Sequence, residues 1–220
     1  MDWQVQTISR SVTTVKLTPK GRATRQRILE GAAEYLRGTD PGAATLDDVR
    51  AVTHTSKGQL FHYFPGGKEE LLLAVARYEA GRVLTDQEPH LSALDSWESW
   101  SAWRDAVLER YRAQGRYCPL AALMDQVSST PGAAEVVTEL LEQWQRRVRD
   151  GVVTMQAQGL VSADLDPRRV AGSFVAGIQG GVQVLRATGS TDQLRSVLDL
   201  LLDYLRVGPA PAPRAGRVSP

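Results

Sequence analysis

Apolar residues in this chain recur at intervals of three and four from Ile28 to Leu205, and no segment shows the alternating pattern of paired strands. That period lays one apolar stripe along each helix, and each stripe must be buried against another helix. An all-α fold follows. The breakers set the element lengths: short pieces lie before Pro89 and long ones after it.

Thr18-Pro19 supplies an N-cap and a first-turn proline, and apolar positions from Ile28 to Leu36 extend that helix until Gly38 and Asp40-Pro41-Gly42 stop it. Thr45, with Asp48 three residues on, caps a short second helix through Val52, followed by a turn of three residues. Ser56-Lys57-Gly58-Gln59 has the capping-box form S-x-x-Q, so a third helix of about two turns begins there and ends before Pro65. Lys68-Glu69-Glu70 opens a fourth, with both acids at its positive end. Beyond Pro89 the pattern predicts helices at 92–114, 119–128, 132–158, 167–187 and 191–206.

With 220 residues, 42% of them hydrophobic, the chain has enough apolar material for a core. Its apolar runs are too short to span a membrane and its first twenty residues lack the apolar stretch of a secretory signal, so a cytoplasmic location without a membrane partner is expected. Cys118 has no second cysteine to pair with, and His54, His62 and His90 are too far apart in sequence for metal-ligand spacing. No cofactor is expected. Net charge is only +1, yet residues 1–28 hold six basic side chains (Arg10, Lys16, Lys20, Arg22, Arg25 and Arg27) against Asp2, a local +5. This asymmetry fits either an arm beside an anionic partner or a solvated tail.

Two short helices joined by a tight turn form a helix-turn-helix, whose second helix can enter the major groove of DNA. Within it, Leu60 and Phe64 can share the inward face, leaving Lys57, Gln59, Phe61 and His62 on the outer arc. Lysine can donate to guanine or phosphate, glutamine can pair with adenine, and an aromatic ring can meet a thymine methyl. Gly58 permits close backbone approach. His62 and Tyr63 can donate to phosphates, while Thr45 and Lys68 flank the groove. Thr55, Ser56 and Arg25 complete the candidate DNA contacts. Other readings stand beside these: Gln59 as cap partner only, Tyr63 as core, and His62 as a solvated surface residue.

The string TSKGQLFHYFPGGKEELLLAV closely resembles the DNA-binding segment of TetR-family transcriptional regulators, and the layout from RQRILEGAAEYL through ATLDDVRAV to KEELLLAV follows the same pattern. The resemblance covers residues 18–76. It implies a homodimeric, all-helical regulator: a helix-turn-helix unit at 18–66, a connecting helix at 67–88, and a ligand-binding and dimerisation domain at 89–207. Residues 1–17 would be a disordered basic arm and 208–220 a disordered Pro/Ala-rich tail. One position departs from the pattern: His54 stands where family members usually carry glycine, at a turn that often needs positive φ.

Farther along, GRYCPLAALMDQVS and GGVQVLRATGSTDQLRSVLDLLLDYL are similar, in patches across 114–206, to the C-terminal domains of drug- or flavonoid-responsive regulators, which implies a hydrophobic or aromatic effector. Trp97, Trp100 and Trp103 share one side of a helix. Trp100, Trp103, Tyr111, Met124, Trp144 and Phe174, with Gln126 and Gln179 as polar contacts, are the candidate ligand residues, unless they are simply core. Phe174, Ile178, Gly181 and Leu185 on one helix, with Leu194, Leu198, Leu201 and Leu205 on the next, are the candidate dimer interface, with burial inside the monomer as the rival account. An enzyme is not expected, since no nucleophile motif or phosphate loop is present. The rival function is a helical protein-interaction module that does not bind DNA.

Overall fold

The computed structural model describes residues 17–39, 42–115 and 118–208. Apart from Leu17 and Gly208, the expectations for the basic arm and the C-terminal tail lie outside the described residues. The described residues form nine α-helices and one short 3-10 turn, with no strand.

Local chemistry sets the first four. Helix α1 (Pro19–Arg37) opens where the Gly21 amide donates to Thr18 Oγ1 at 3.1 Å. Capping boxes open α2 (Leu46–Thr53), through Thr45 and Asp48, and α3 (Lys57–Tyr63), through Ser56 and Gln59. At α4 (Gly67–Thr85) the carboxylate of Glu70 reaches back to accept from the Gly66 amide at 2.7 Å.

The helix expected from residue 92 starts later. A 3-10 turn occupies His90–Ser92, and a capping box of Ser96 and Ser99 opens α5 at Trp97, running to Gln114. The remaining helices are α6 (Pro119–Gln126), α7 (Ala133–Ala157), α8 (Pro167–Thr188) and α9 (Asp192–Val207), each end within two residues of its expected place.

Two cores result. In the first, Ile28, Leu29 and Leu36 of α1 meet Val49, Leu60 and Phe64, and the group is completed by Leu71, Leu72, Ala74 and Val75 from the first half of α4. In the second, Ala76, Ala80, Val83 and Leu84 of the same helix join the apolar stripes of α5 to α9. Helix α4 is therefore a shared wall and more than a connector. A buried ion pair fastens it to α1: Nε and Nη2 of Arg37 each lie 2.9 Å from Oε1 of Glu79, whose side chain is completely buried. Burial pushes the Glu79 carboxyl above its ordinary range, against the lowering influence of Arg37. No sequence motif marked this pair.

The candidate interface residues need a correction. Phe174, Ile178, Gly181 and Leu185 of α8, with Leu194, Leu198 and Leu205 of α9, are all buried within the single chain; of the eight, only Leu201 keeps surface. The stripes serve the monomer because α8 packs on α7 and on α9 at close range. A Cβ at Gly181 would stand 2.8 Å from the Leu194 Cα, so only glycine allows this approach. If α8 and α9 meet a second copy, they must use other faces than these stripes.

Candidate nucleic-acid interface

The turn between α2 and α3 is held from inside. His54 sits at φ 50°, ψ 44°, in the left-handed conformation expected there, and the Thr55 amide donates to the Arg50 carbonyl at 3.1 Å. Thr55 itself is buried, its hydroxyl 3.0 Å from Thr53 Oγ1 and 3.2 Å from the Thr53 carbonyl. This corrects its place among the DNA contacts: Thr55 locks the turn and presents no side chain outward. Among the described residues the exposed His54 ring makes no hydrogen bond that would justify its backbone strain. His54→Gly should therefore stabilise the chain by about 0.5–1 kcal/mol, read as a raised urea midpoint at unchanged slope.

Leu60 and Phe64 anchor α3 in the first core, and the non-helical backbone of Phe64 before Pro65, at φ −137° and ψ 71°, ends it. Lys57, Gly58, Gln59, Phe61 and His62 are left exposed on the opposite side, with Phe61 40% exposed despite being aromatic. Tyr63 is half-buried against the core, its ring edge-on to His62 at 4.8 Å. Gly58 has neither positive φ nor any neighbour within 4 Å of a notional Cβ, so nothing among the described residues requires a glycine there.

The flanking candidates are more engaged. Both donors of Thr45, its amide and its hydroxyl, end on Asp48 Oδ2 at 3.0 and 2.6 Å, and these bonds hold the Asp48 carboxyl below its ordinary range. Ser56 is exposed and committed to its cap, its Oγ accepting from the Gln59 amide at 3.2 Å. The Gln59 oxygen accepts in turn from the Ser56 amide at 3.3 Å, which leaves the side-chain NH2 free to point outward. Lys68 Nζ donates to the Gly42 carbonyl at 2.9 Å, and the Arg25 guanidinium lies over the Phe64 ring at 5.0 Å. Sequence reasoning thus identified the exposed face of α3 and missed which neighbours serve as internal fasteners; the capping-box spacing at Thr45 was the available signal.

The candidate ligand residues do not line an open pocket. Trp100, Trp103, Trp144 and Phe174 are fully buried, with Trp100, Trp103 and Phe174 forming a triangle of ring centroids 5.3–5.7 Å apart. Met124 and Gln179 are half-buried and Gln126 is fully buried. A cavity of about 10 Å³, lined by Val83, Gln87, Val107, Tyr111 and Leu120, includes only Tyr111 of the eight. A larger hollow of about 270 Å³ lies elsewhere, between Leu91–Asp95 and the Arg147–Thr154 face of α7. Burial raises the Tyr111 phenol well above its ordinary range and keeps it neutral. Among the described residues no group of three or more acidic, histidine or cysteine side chains could hold a metal, and no helix is long and apolar enough to cross a membrane.

A polar helix presented by a helix-turn-helix, on a helix that continues into a larger all-helical body, defines a DNA-binding regulator. Residues 28–75 match the family model for bacterial regulatory proteins of the tetR family, and residues 94–201 match that for the tetracyclin repressor-like C-terminal domain. The chain belongs to the TetR family of transcriptional regulators. It is 27% identical over 154 residues to an uncharacterized HTH-type transcriptional regulator of Mycobacterium tuberculosis, covering 62% of this chain and 75% of that protein. Over 59 residues, 27% of this chain and 31% of the relative, it is 42% identical to the HTH-type transcriptional repressor AcnR of Corynebacterium efficiens. A TetR regulator of Chloroflexus aurantiacus has the same fold, with a TM-score of 0.74 at 24% identity over 85% of this chain and 96% of that one.

Proposed function

We propose that this regulator is a homodimeric repressor that binds a pseudo-palindromic operator through α3 and releases it when a hydrophobic or aromatic small molecule enters the C-terminal body. The observation that carries the DNA contact is the exposed face of α3, where Lys57, Gly58, Gln59, Phe61 and His62 stand together. Gly58 leaves room there for an external surface to approach the backbone. Lys57 and the free NH2 of Gln59 stand beside it as base or phosphate donors, with Phe61 as the apolar contact and His62 as a phosphate donor. The name of the Corynebacterium relative supports repression over activation.

Dimerisation uses the outer side of the last two helices. Leu200 is 68% exposed, and Leu201 and Tyr204 continue that face, while a Cβ at Gly180 of α8 would meet open space. Two such helix pairs would build a four-helix bundle between copies. An effector would act by preferring one position of α4, and it can shift operator binding only as far as that preference reaches.

Competition binding to operator DNA from the flank of the protein's own gene tests this reading. The double change Lys57→Ala with Gln59→Ala should weaken operator binding about tenfold to hundredfold with dimerisation retained. Gly58→Ala should weaken it while raising the melting temperature. Undiminished binding by these variants would refute the assignment, and binding that lacks both sequence preference and salt dependence would favour a protein-interaction module.

A further inference from the structure

From Val49 to Lys68 the sequence has no acidic residue, against Arg50, Lys57 and Lys68 and the two histidines His54 and His62. The acids that border this stretch already have partners: Asp47 pairs with Arg50 at 2.5 Å, Asp48 accepts from Thr45, and Glu70 accepts from the Gly66 amide. From α1, Arg27 donates to the Thr53 carbonyl and Arg25 lies over the Phe64 ring, while Glu30 accepts from Gln26 at 2.9 Å. The turn between α2 and α3 therefore sits among cations, and the carboxylates nearest to it in sequence are engaged. Such a surface suits an anionic partner.

At the centre of that turn stands His54, which among the described residues is the one non-glycine with positive φ. A glycine would take this conformation without strain. The backbone on both sides is held: the His54 amide donates to the Ala51 carbonyl at 3.4 Å, the Thr53 carbonyl accepts from Arg27 and from the Thr55 hydroxyl, and the Thr55 amide donates to the Arg50 carbonyl. Thr53 and Thr55 turn inward and are buried, whereas His54 and Ser56 are exposed. The imidazole is thus displayed from a fixed mount, two residues before the Ser56 cap of α3. A strained residue kept in a tightly held segment, with its ring directed away from the core, points to use outside the chain.

Position decides which anion. With α3 in the major groove, base edges fall to the side chains of α3 itself, and the turn ahead of it comes to the rim of the groove, where the sugar-phosphate strand runs. A neutral imidazole can donate one N–H there, and a protonated one donates with a full charge. A phosphate beside an imidazole favours the charged form.

We infer that His54 is a further DNA contact, its ring donating to a backbone phosphate at the rim of the groove that α3 enters, and that this contact tightens DNA binding as pH falls through the range in which histidine changes charge. This rests on the DNA-binding reading above and adds to it a residue outside α3 and a dependence on pH. Because a phosphate carries no sequence information, His54 strengthens binding to operator and to other duplexes alike.

Fluorescence anisotropy of the full-length chain on two labelled duplexes tests it, one from the flank of the protein's own gene and one of the same composition in scrambled order, each over a salt series at about pH 6 and about pH 8. His54→Asn places a residue that tolerates the left-handed conformation and removes the titrating ring, so the turn is kept. At about pH 6 the variant should bind both duplexes about threefold more weakly per copy of the chain, with a salt slope smaller by about one per copy. At about pH 8 the gap should close to less than about twofold. Lys57 and His62 are the same in both proteins, so their own contributions cancel in the comparison. A purely structural role would move the urea midpoint and leave the salt slope and the pH profile alone. Equal salt slopes at about pH 6, a gap that widens as pH rises, or a loss confined to the flanking duplex overturns the inference. A chain that prefers the flanking duplex, and loses that preference in the Lys57→Ala with Gln59→Ala variant, keeps the proposed function even where His54→Asn binds like the wild type. Wild-type binding without such a preference defeats that function whatever the slopes show.

Discussion

Arg37→Met should destabilise the chain by about 3–5 kcal/mol, because it strands the Glu79 carboxylate in a dry interior. Glu79 is completely buried and its Oε2 already lacks a partner; Arg82 adds only a weaker charge influence and makes no hydrogen bond to it. Adding Glu79→Leu to Arg37→Met should recover most of the loss, since a buried pair replaced as a whole by apolar side chains is often neutral. Urea denaturation of the two variants decides it; an equal loss in both would mean that Arg37 acts by packing and not by charge. The pH dependence follows from the raised Glu79 pKa, set first by burial and only partly offset by Arg37. With a folded value above the ordinary 4.5, the native state holds the proton more tightly than the unfolded chain does. The stability contributed by Glu79 is then fully present below that ordinary value and is lost as pH rises through the folded pKa. Glu79→Gln, which imitates the protonated form, should gain on the wild type as pH rises through that window, and a gap that shrinks would reverse the assignment.

Trp103→Ala should cost a similar amount, about 3–5 kcal/mol, from the cavity left by a fully buried indole. Its ring contacts Trp100 and Phe174, and its N–H is the donor that satisfies Gln87. Removing it thus opens space between α5 and α8 and leaves a buried amide oxygen unmatched. Trp103→Phe retains much of the volume and loses only the donor, so it should fall between wild type and Trp103→Ala. Calorimetric melting of the three chains measures this, and an alanine variant that melts with the wild type would show that the core collapses freely into the gap.

Features written in adjacent residues could be read from the sequence. Capping boxes at Thr45 and Ser56, the stop at Pro65 and the left-handed conformation of His54 are set by side chains three or four positions apart, and the structure shows each of them. Helix periodicity likewise gives the apolar face of α8 and α9, but it does not say whether that face meets the same chain or a second one. Phe174 and Leu194 were therefore eligible for both roles until α7 and the glycine-mediated contact at Gly181 claimed them for the monomer. The candidate DNA face divides the same way. Lys57, Gly58 and Phe61 follow from helical phase, whereas the inward turn of Thr55 depends on hydrogen bonds to Thr53 and Arg50 that no spacing announces. Arg37 and Glu79 are 42 positions apart, a separation that carries no local signature.

The two cores meet in mid-helix, between Val75 and Ala76, with no loop to mark the frontier. A DNA-binding fragment cut at the loop before α4 would lack Leu71, Leu72, Ala74 and Val75 and so would be missing one wall of its own interior. Extending the fragment to include them drags along the turns that carry Ala80, Val83 and Leu84, now stripped of their cover and inviting aggregation. The DNA-binding unit and the C-terminal body are in this sense conjoined, and exchanging one regulator's C-terminal body for another's would have to respect the rotational phase of α4 as well as the point of fusion.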